Sequence, residues 1–428
     1  NMVFLDVTAR NDWVTALANT SKTSMFYPSV GLSAVLTDIF KVDSRVLSFA
    51  KIRASYAEVG NAPMRWITIP TYPVSDGTPQ TSTYLTSDDF KPERTKSWEV
   101  GADVRLWGNK LILNATYYSS RTYNQVFNPD ISSTSTYSSL YVNTGRVDNK
   151  GVEVSAELNQ NLGPVKWSSN LVYSRNRNKV LSLGNAVQTG LKTDLRTGMQ
   201  YEYYGNQSEQ FRAYTNILAV GQPMYVFYGY RTDGIVQSLA EGLSAGLSGD
   251  DAQPGEFKYV DIYDGDGLET VDENDMCIIG DPNPDWMASL GIDVSWRRFD
   301  FSIFFNGVFG NDVLNTKRFD QPSNMPMRWT ADNPTNSYPR LNANRQTKLS
   351  DWWVEDGSFV RIQTMTLGYS IPFSKKDAAR KIRLYVSADN LYTFTGFEGY
   401  DPEVGMTGIY SGGYPRLRKW TFGADFTF

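Results

Sequence analysis

Apolar and polar residues alternate one by one over many short segments of this chain. Between Trp98 and Leu106 every even-numbered residue is apolar, whereas every odd-numbered residue is polar, charged or glycine. A period of two predicts β-strands that have one apolar and one polar face. The alternation recurs clearly in residues 50–56, 111–117, 152–158, 290–297, 382–389 and 420–428, and more weakly in residues 2–10, 29–38, 165–176, 299–309 and 358–371. We therefore predict an all-β chain of about twelve strands.

The predicted strands are joined alternately by short and long connections. The short connections lie near residues 41–48, 107–110, 161–164, 297–298 and 372–381, and the long ones near 11–28, 60–95, 123–148, 177–284, 310–357 and 394–414. This alternation is typical of a transmembrane antiparallel β-barrel, in which short turns face the periplasm and long loops face outward. The connection 177–284 is too long for a structureless loop, and its many tyrosines predict a folded extracellular excursion.

The final strand has a distinctive end. Its apolar side carries Trp420, Phe422, Ala424, Phe426 and the terminal Phe428. This arrangement resembles the C-terminal signal by which outer-membrane proteins are recognised for insertion. We therefore predict that Gly423, Phe426 and Phe428 belong to such a signal and that the short turns are periplasmic.

Composition agrees with strands rather than helices as the membrane-spanning elements. Hydrophobic residues make up 41% of the chain, with 26 Tyr, 22 Phe and 11 Trp, yet no run of about 18 apolar residues could form a spanning helix. Barrel strands turn only alternate residues toward lipid, so the mean hydropathy of -0.40 is no objection.

Charge and missing residue types exclude several functions. The net charge is -5, with 41 basic and 46 acidic residues spread along the chain, so a nucleic-acid partner is not expected. The chain has no histidine, which removes His-dependent triads and the usual zinc sites. Cys277 is the single cysteine, so no intrachain disulfide can form.

The start of the chain lacks the basic head and apolar core of a secretory signal. Residues 1–5 instead have the pattern of a strand entered midway. We expect the chain to be a fragment of a longer protein. Because unpaired sheet edges are costly in lipid, we also expect another segment to pair with both edges.

Charged residues on the polar sides of the strands are predicted to face the lumen of the barrel. A catalytic carboxylate pair is the alternative interpretation, but a water-filled or plugged lumen carries charges on every strand without any chemistry. We predict no catalytic residues and no enzyme. The predicted lumen-facing residues are Arg53, Glu99, Asp103, Arg105, Glu153, Glu157, Arg383 and Asp389.

Aromatic residues of the long loops are candidates for substrate binding. A ring offers an apolar face beside a polar edge, which suits a sugar ring or a peptide backbone. Packing of these rings within the loops remains the alternative. The candidates are Trp66, Tyr72, Tyr84, Tyr201, Tyr203, Tyr204 and Trp329.

An acidic, glycine-containing segment runs from Asp261 to Glu273. Asp261, Asp264 and Asp266 resemble the ligands of a calcium loop, although one extra residue separates Asp261 from Asp264. The alternative is a solvated acidic turn held by side-chain to backbone hydrogen bonds. We expect no cofactor other than the Ca²⁺ that the first interpretation implies.

Seven sequence blocks, spread over nearly the whole chain, resemble the C-terminal half of SusC-like TonB-dependent outer-membrane transporters (SusC/RagA type). Each block is short, and their order and spacing together make the resemblance specific. They are Lys91-Pro92-Glu93-Arg94 leading to Trp98-Glu99-Val100-Gly101, Asn143-Thr144-Gly145 with Asn149-Lys150-Gly151-Val152-Glu153, residues 229–235, residues 279–285, residues 355–361 leading to Leu367-Gly368-Tyr369, Asn390-Leu391-Tyr392, and Gly399-Tyr400-Asp401-Pro402-Glu403.

The resemblance implies about the last 12 strands of a 22-stranded barrel in the outer membrane of a Gram-negative bacterium. It implies TonB-dependent import of bulky nutrients, oligosaccharides or oligopeptides, with a SusD-like surface lipoprotein as partner. The N-terminal plug and barrel half, and contact with TonB through them, would lie outside this chain, and some lumen-facing charges would hydrogen-bond the plug. Outer-membrane lipid would surround the wall. An adhesin or receptor without transport is the alternative function.

Overall fold

The computed structural model describes residues 2–427 apart from 21–22, 65–66, 70–73, 80–83, 87–89, 128–138, 184–190, 206, 268–269, 321, 343–344, 346 and 373–380. Its main feature is an antiparallel sheet in which twelve strands lie side by side in chain order. They are β1 (Val3–Trp13), β2 (Ser24–Val35), β3 (Leu47–Asn61), β4 (Glu93–Leu106), β5 (Leu111–Phe127), β6 (Ser139–Leu162), β7 (Val165–Ser182), β8 (Trp286–Trp296), β9 (Phe299–Phe309), β10 (Phe359–Pro372), β11 (Lys381–Thr395) and β12 (Lys419–Thr427). The all-β prediction and the strand count are confirmed.

The strand register keeps like faces together across the sheet. Arg53 of β3 lies opposite Gly101 of β4, which lies opposite Thr116 of β5. One residue along, Ala54 lies opposite Val100, and the same parity continues to β12. We call the side that carries Arg53 the inner face and the side that carries Val100 the outer face.

The outer face is apolar and exposed. Val100 is 50% exposed, Leu367 48% and Phe422 79%. Contiguous apolar surface of this kind is unusual on a protein in water, whereas a barrel wall presents it to hydrocarbon. The predicted alternation therefore divides the sheet into a lipid-type face and a polar face.

The predicted alternation of connections is confirmed from β3 onward, whereas the first two links, residues 14–23 and 36–46, are nearly equal in length. The links at the positions predicted to be short are residues 36–46, which contain helix α1 (Leu36–Ile39), 107–110, 163–164, 297–298 and 373–380. The long links are residues 14–23, 62–92, 128–138, 183–285, 310–358 and 396–418. Because consecutive strands are antiparallel, all short links lie at one end of the sheet, the turn end, and all long links at the other, the loop end.

Some strands extend further toward the loop end than predicted. The predicted connection 123–148 is shorter in the structure, because β5 runs to Phe127 and β6 begins at Ser139. The backbone keeps its period of two there, but the outer-face residues change from apolar to charged, as at Arg121 and Asp148. The alternation of apolar residues in the sequence therefore ends before the strands end.

The long connections carry further short elements at the loop end. Lys192–Thr193, Gln200–Tyr204, Asn216–Ala219, Val226–Gly229 and Cys277–Gly280 form a five-stranded sheet. Smaller sheets pair Val74–Ser75 with Thr78–Pro79, Thr232–Ile235 with Phe257–Tyr259, and Asp312–Asn315 with Val354–Asp356 and Ile409–Tyr410, and Tyr84–Thr86 pairs with β6. The helical elements are helix α2 (Leu239–Ser244) and the 3-10 turns Thr15–Leu17, Asp264–Asp266, Glu273–Asp275, Pro322–Met327 and Asp351–Trp353.

Several hydrophobic cores lie in this loop region. One is built on Ile217, Val226 and Tyr228, and another on Phe227 and Trp353, which comes from the connection 310–358. The connection 183–285 is thus folded, and its core includes residues from a second long connection. None of the helices in the described part of the chain is long and apolar enough to cross a membrane.

Candidate lumen and loop surfaces

The eight charged residues predicted to face a lumen share the inner face of the sheet. Arg53, three residues of β4 and two of β6 belong to three strands, of which β4 and β6 are separated by β5, while the other two residues lie on β11. Their positions follow directly from the period of two and the register. The set is Arg53, Glu99, Asp103, Arg105, Glu153, Glu157, Arg383 and Asp389.

Arg53 links three strands of the inner face. Its Nη1 donates to Asp103 Oδ1 at 2.5 Å, and its Nη2 donates to Thr116 Oγ1 at 2.5 Å. The guanidinium passes over Gly101, where an added Cβ would lie 2.8 Å from Arg53 Nε. A glycine in β4 therefore makes room for an ion pair that crosses the strand.

Arg383 holds a second group of charges. Its Nη2 lies 2.5 Å from Asp300 Oδ2 of β9, and its Nη1 lies 3.0 Å from Asp425 Oδ2 of β12. Asp389 accepts a longer hydrogen bond from Thr364 Oγ1 at 3.5 Å. The prediction from sequence missed Asp300, although the alternation of β9 places it on the polar side.

Two of the remaining inner-face charges, Glu157 and Arg105, contact neighbours on their own or adjacent strands. Glu157 Oε1 accepts a hydrogen bond from Asn159 Nδ2 at 2.7 Å, and the Arg105 guanidinium lies 4.9 Å from the centre of the Phe49 ring. The inner face thus combines cations, anions and hydroxyl groups in cross-strand pairs. Such a wall can hydrogen-bond a polar protein segment or hydrated solutes, and its contact with a plug stays a prediction.

The tyrosines at 201, 203 and 204 differ in exposure. Tyr201 is only 7% exposed and packs against Tyr228 with ring centres 4.8 Å apart. Tyr203 stacks on Tyr214 at 4.8 Å, and Tyr204 packs against Tyr225 at 4.6 Å but remains exposed. Burial raises the pKa of Tyr201 above its ordinary value. Among these three, Tyr204 offers the most surface to a ligand, and their substrate contacts stay predictions.

The other predicted aromatic residues lie in different connections. Tyr84 makes an edge-on contact with Tyr141 at 5.4 Å. Trp329 packs on the core around Phe257, and its Nε1 donates to Gln237 Oε1 at 2.9 Å. Trp66 and Tyr72 lie outside the described residues. The structure therefore places Tyr84 and Trp329 within packed loop surfaces, where part of each ring is covered.

The acidic segment forms a turn organised by Asp275, which the sequence analysis did not single out. Asp275 Oδ1 accepts from the backbone N–H groups of Ile262 at 2.8 Å and Tyr263 at 3.0 Å. Asp261 Oδ1 accepts from Tyr263 N at 3.3 Å, and burial together with the Asp275 carboxylate raises the pKa of Asp261.

The calcium prediction stays open on these observations. Asp264 is exposed, and the side chain of Asp266 lies outside the described part. Among the described residues no three His, Cys, Asp or Glu side chains come together as a metal would require. The described hydrogen bonds are those of an acidic turn capped by its own side chains.

Two of the motif blocks meet in a buried ion network at the loop end. Arg361, only 3% exposed, pairs through Nη2 with Asp401 Oδ1 at 2.7 Å and through Nη1 with Glu403. Arg416 approaches the same two carboxylates, at 2.8 Å from Asp401 and 3.0 Å from Glu403. The network ties the connection 396–418 to the end of β10.

Residues of other motif blocks also tie long connections to the main sheet. Asn143 and Lys91 exchange two hydrogen bonds of 2.6 Å, which join the approach to β4 with β6. Asn283 accepts from Asn178 Nδ2 at 2.6 Å and donates to the Met224 carbonyl at 2.7 Å. These polar residues therefore hold the bases of the long connections on the strand ends.

A further buried carboxylate joins two long connections. Glu256 accepts from Arg340 Nε at 2.7 Å, Arg345 Nε at 2.5 Å and Asn342 Nδ2 at 2.8 Å. Burial acts to raise the pKa of Glu256, but the two guanidinium groups outweigh it and hold that pKa below its ordinary value. No motif signalled this residue, because its partners are more than eighty positions away.

A polar cavity of about 510 Å³ opens beside the five-stranded loop sheet. Arg196, Arg231 and the buried thiol of Cys277 are among the residues that line it, and burial raises the pKa of that thiol. Asp194 closes one side and accepts a hydrogen bond from Tyr228 Oη at 3.3 Å. The cavity is large enough for a small polar group.

The predicted insertion signal lies on the edge strand β12. Gly423 lies opposite Tyr385 of β11, whose ring fills the space that a Cβ would take. Phe426 lies on the outer face and is exposed. Phe428 lies outside the described residues, and recognition of the signal stays a prediction.

Comparison with known proteins adds a family relationship. The family model described as TonB dependent receptor-like, beta-barrel matches residues 3–391. TonB-dependent receptor P3 of Formosa agariphila is 31% identical over 98% of this chain and 43% of its own length. TonB-dependent receptor SusC of Bacteroides thetaiotaomicron is 24% identical over 94% of this chain and 40% of its own length.

A solved structure has the same fold. The structure described as the RagAB peptide importer in its closed-closed state superposes with a TM-score of 0.80 at 19% identity, over 100% of this chain and 46% of the matched chain. The present chain therefore spans less than half the length of these relatives.

Proposed function

This chain belongs to the TonB-dependent receptor-like β-barrel family, and from this premise we propose that it forms wall and loops of a transporter that imports bulky nutrients across the outer membrane of a Gram-negative bacterium. The nutrients are oligosaccharides or oligopeptides, and uptake is driven through TonB. Members of this family are receptors and transporters rather than enzymes.

The two-faced sheet is the observation that carries the proposal. Its register sets an outer face that is apolar and exposed along the middle of the strands against an inner face with cross-strand ion pairs, such as Arg53 with Asp103 and Arg383 with Asp300. Hydrocarbon on one side and water or a plug on the other require this division. The similar RagAB structure, described as a peptide importer, supports a barrel conduit for a polar solute.

The loop end supplies the proposed docking surface for a SusD-like lipoprotein. Tyr400, Met406 and Tyr414 of the connection 396–418 are largely exposed apolar side chains. The network of Arg361 with Asp401 and Glu403 fixes the base of this connection. Exposed aromatic and methionine side chains on a fixed base are typical of protein interfaces.

Uptake measurements test the proposed import. Cells that lack the gene are compared with wild-type cells for uptake of labelled oligosaccharides and labelled oligopeptides, with and without TonB. Loss of uptake for one class, dependent on TonB, is expected and identifies the substrate. Surface binding of the same ligand without uptake in wild-type cells would instead support an adhesin or receptor.

Co-purification tests the lipoprotein surface. The triple variant Tyr400→Ser, Met406→Ser, Tyr414→Ser should lose the lipoprotein, because it removes apolar area from the proposed interface. The matched control is Leu195→Ser, Leu239→Ser, Leu243→Ser, which removes exposed apolar side chains elsewhere at the loop end. Equal retention by both variants contradicts this docking surface.

A further inference from the structure

The outer face changes character toward the loop end of β3 to β7. Aromatic residues lie on this face at Tyr56, Trp98, Tyr117 and Tyr173, in the position of an interfacial girdle. Beyond these rings most outer-face residues are charged, although Ser119 and Tyr123 of β5 are not. The charge is mostly positive and faces away from the lumen.

We call this set of outward cations the basic belt. Two of them lie on β4, one on β5, two on β6 and three on β7, and all are exposed. Three carboxylates, Glu58, Asp148 and Asp285, lie among them, which leaves an excess of five positive charges. The members of the belt are Arg94, Lys96, Arg121, Arg146, Lys150, Arg175, Arg177 and Lys179.

Register places these cations side by side. Arg121 lies opposite both Lys96 and Asp148, and Lys150 lies opposite Arg177. Neighbouring strands are about 4.8 Å apart, so the belt extends roughly 15 Å from β4 to β7. We compare the cation nearest the turn end on each strand. On β6 this cation lies one outward-facing position nearer the turn end than on β5, and on β7 it lies two such positions nearer. The tilt of barrel strands explains this offset.

Four of the eight cations have an ion-pair partner within the described residues and four do not. Glu58 pairs with Arg94 and Lys96, and Asp285 pairs with Arg177. Asp148 pairs with Arg121 through two hydrogen bonds, one of which is 2.7 Å long. The described residues provide no ion pair for the other four. These are Arg146, whose guanidinium lies 5.7 Å from the centre of the Tyr123 ring, Lys150, Arg175 and Lys179.

The belt is local to one side of the wall. At the loop end of β8 to β11 the described outer-face residues include Trp286, Phe309, Tyr392 and Phe394, and no cation. Trp286 and Phe309 stack with ring centres 3.8 Å apart. A uniform interfacial girdle would repeat around the barrel, whereas the concentration of charge on β4 to β7 indicates a particular ligand.

Two cavities occur on the same strands. One, of about 200 Å³, lies within the belt and is lined by Lys96, Arg121 and Tyr123, among others. The second, of about 460 Å³, is almost entirely apolar and lies toward the turn end, where Ala54, Ala102 and Ala115 leave space between larger side chains. A cavity lined by charged and aromatic side chains above an apolar groove matches a molecule with an anionic head and a hydrocarbon tail.

We propose that the basic belt binds the phosphorylated headgroup of an outer-leaflet lipid, with an acyl chain in the apolar groove below. Guanidinium and ammonium groups that are not yet paired provide charge-assisted hydrogen bonds to phosphate oxygens. The belt faces outward, so a solute in the lumen does not reach it. Placement in the outer leaflet rests on the orientation in the proposed function, in which the loop end faces outside.

Lipid binding to the complete protein, purified from outer membranes in mild detergent, tests the proposal. The probes are phosphatidylcholine nanodiscs doped with bisphosphorylated lipid A or with its dephosphorylated form, and bound lipid is counted by native mass spectrometry. The variant Lys150→Gln, Arg175→Gln, Lys179→Gln removes three unpaired cations and should weaken retention of phosphorylated lipid at least about tenfold. The effect should diminish with added salt.

The control variant is Lys51→Gln, Lys110→Gln, Lys166→Gln, which removes the same charge from the inner face and the turn end. It should retain lipid as the wild type does. Heat-dependent gel mobility checks that both variants form the barrel. Equal retention of phosphorylated lipid by the belt variant overturns the proposal.

Three further results also overturn it. In the first, the wild type binds the dephosphorylated lipid as well as the phosphorylated lipid. In the second, inorganic phosphate at equal concentration displaces the bound lipid. In the third, the belt variant loses a protein subunit and not the lipid. Nutrient uptake is measured separately in the same variants. Absent uptake in wild-type cells would refute the proposed import while leaving the lipid measurement intact.

Discussion

At the scale of single residues, buried charges of the loop end are held by partners distant in sequence. Arg361 lies beneath Asp401 and Glu403, and Glu256 beneath Arg340 and Arg345. A buried charge is tolerated only when opposite charges and hydrogen bonds surround it. The role of these pairs is structural rather than chemical, because they determine where each loop begins.

Arg361→Ala should loosen the connection 396–418. The change leaves Asp401 and Glu403 with Arg416 alone and should cost roughly 2–3 kcal/mol of local stability. Limited proteolysis should then cut residues 396–418 faster, while the heat-dependent gel mobility of the barrel changes little. Arg361→Lys keeps the charge and should restore part of the protection. Unchanged proteolysis of the alanine variant contradicts a structural role for this network.

Glu202 should make the folded excursion sensitive to pH. It lies opposite Leu218, is 5% exposed, and its Oε2 has no hydrogen-bond partner within the described residues. Burial raises the pKa of Glu202 from 4.5 to about 7. The folded state therefore holds its proton more tightly than the unfolded state does.

The sign of the pH effect follows from this raised pKa. The contribution of Glu202 to stability is full below pH 4.5, decreases as the pH rises, and is lost above the folded pKa of about 7. The total loss is about 3 kcal/mol. Hydrogen exchange of the amides 216–219, corrected for intrinsic rates, should show weaker protection at about pH 8 than at about pH 5.

Glu202→Gln should abolish this difference, because a neutral amide does not titrate. Glu209→Gln, at an exposed position, serves as the matched control and should keep the wild-type pH dependence. A pH dependence that persists in the Glu202 variant would assign the effect to another group.

At the scale of elements, glycines of the inner face lie beneath long side chains from the neighbouring strand. Gly101 lies opposite Arg53, Gly151 opposite Tyr118, and Gly423 opposite Tyr385. Tyr118 crosses Gly151 to reach Asn176 of β7, with 3.1 Å between its Oη and Asn176 Oδ1. A glycine in a strand thus marks a close approach by a neighbour. Two of these three glycines, Gly101 and Gly151, belong to the motif blocks.

Gly423→Ala should destabilise the pairing of β11 and β12. The nearest atoms to an added Cβ all belong to the Tyr385 ring, so the change should cost about 1–3 kcal/mol. The temperature at which the barrel loses its folded gel mobility measures this cost. When Tyr385 is already replaced by Ala, adding Gly423→Ala should cost less stability than the same change costs in the wild type. Failure of this compensation would indicate that Gly423 acts through the insertion signal instead.

Strand positions were predicted well from sequence, and strand ends less well. The period of two located all twelve strands because one face of each is apolar over its membrane-spanning part. It missed the loop-end extensions of β5 and β6, where charged residues such as Arg121 and Asp148 take the outer face. Backbone pairing continues there because hydrogen bonds between strands do not depend on apolar side chains.

At the scale of the whole molecule, the two faces should tolerate one added charge to different degrees. Ala156→Arg places a guanidinium on the apolar outer face and should cost about 2–4 kcal/mol of barrel stability. Ser155→Arg, one residue away, faces the inner side among polar groups and should cost much less. Unfolding by denaturant in detergent micelles measures both. Equal effects would contradict contact of hydrocarbon with the outer face.

The candidate site was only partly accessible to prediction. All eight charges predicted to face the lumen could be placed on one face of the sheet, because face follows from parity along a strand. The exposure of Tyr201 and Tyr204 could not be predicted. It depends on Tyr228, which packs against Tyr201, and on Tyr225, which packs against Tyr204, and both come from another segment of the chain. Asp275 and Glu256 were missed for the same reason.

The sequence by itself determined the strands, their two faces, the alternation of short and long connections from β3 onward and the family. These features depend on local periodicity and on motifs of a few residues, which one chain segment displays alone. Only the tertiary structure decided how the loops pack, which motif residues meet, and that eight outward cations gather on four neighbouring strands. Such groupings depend on register between strands, which brings together residues that are far apart along the chain.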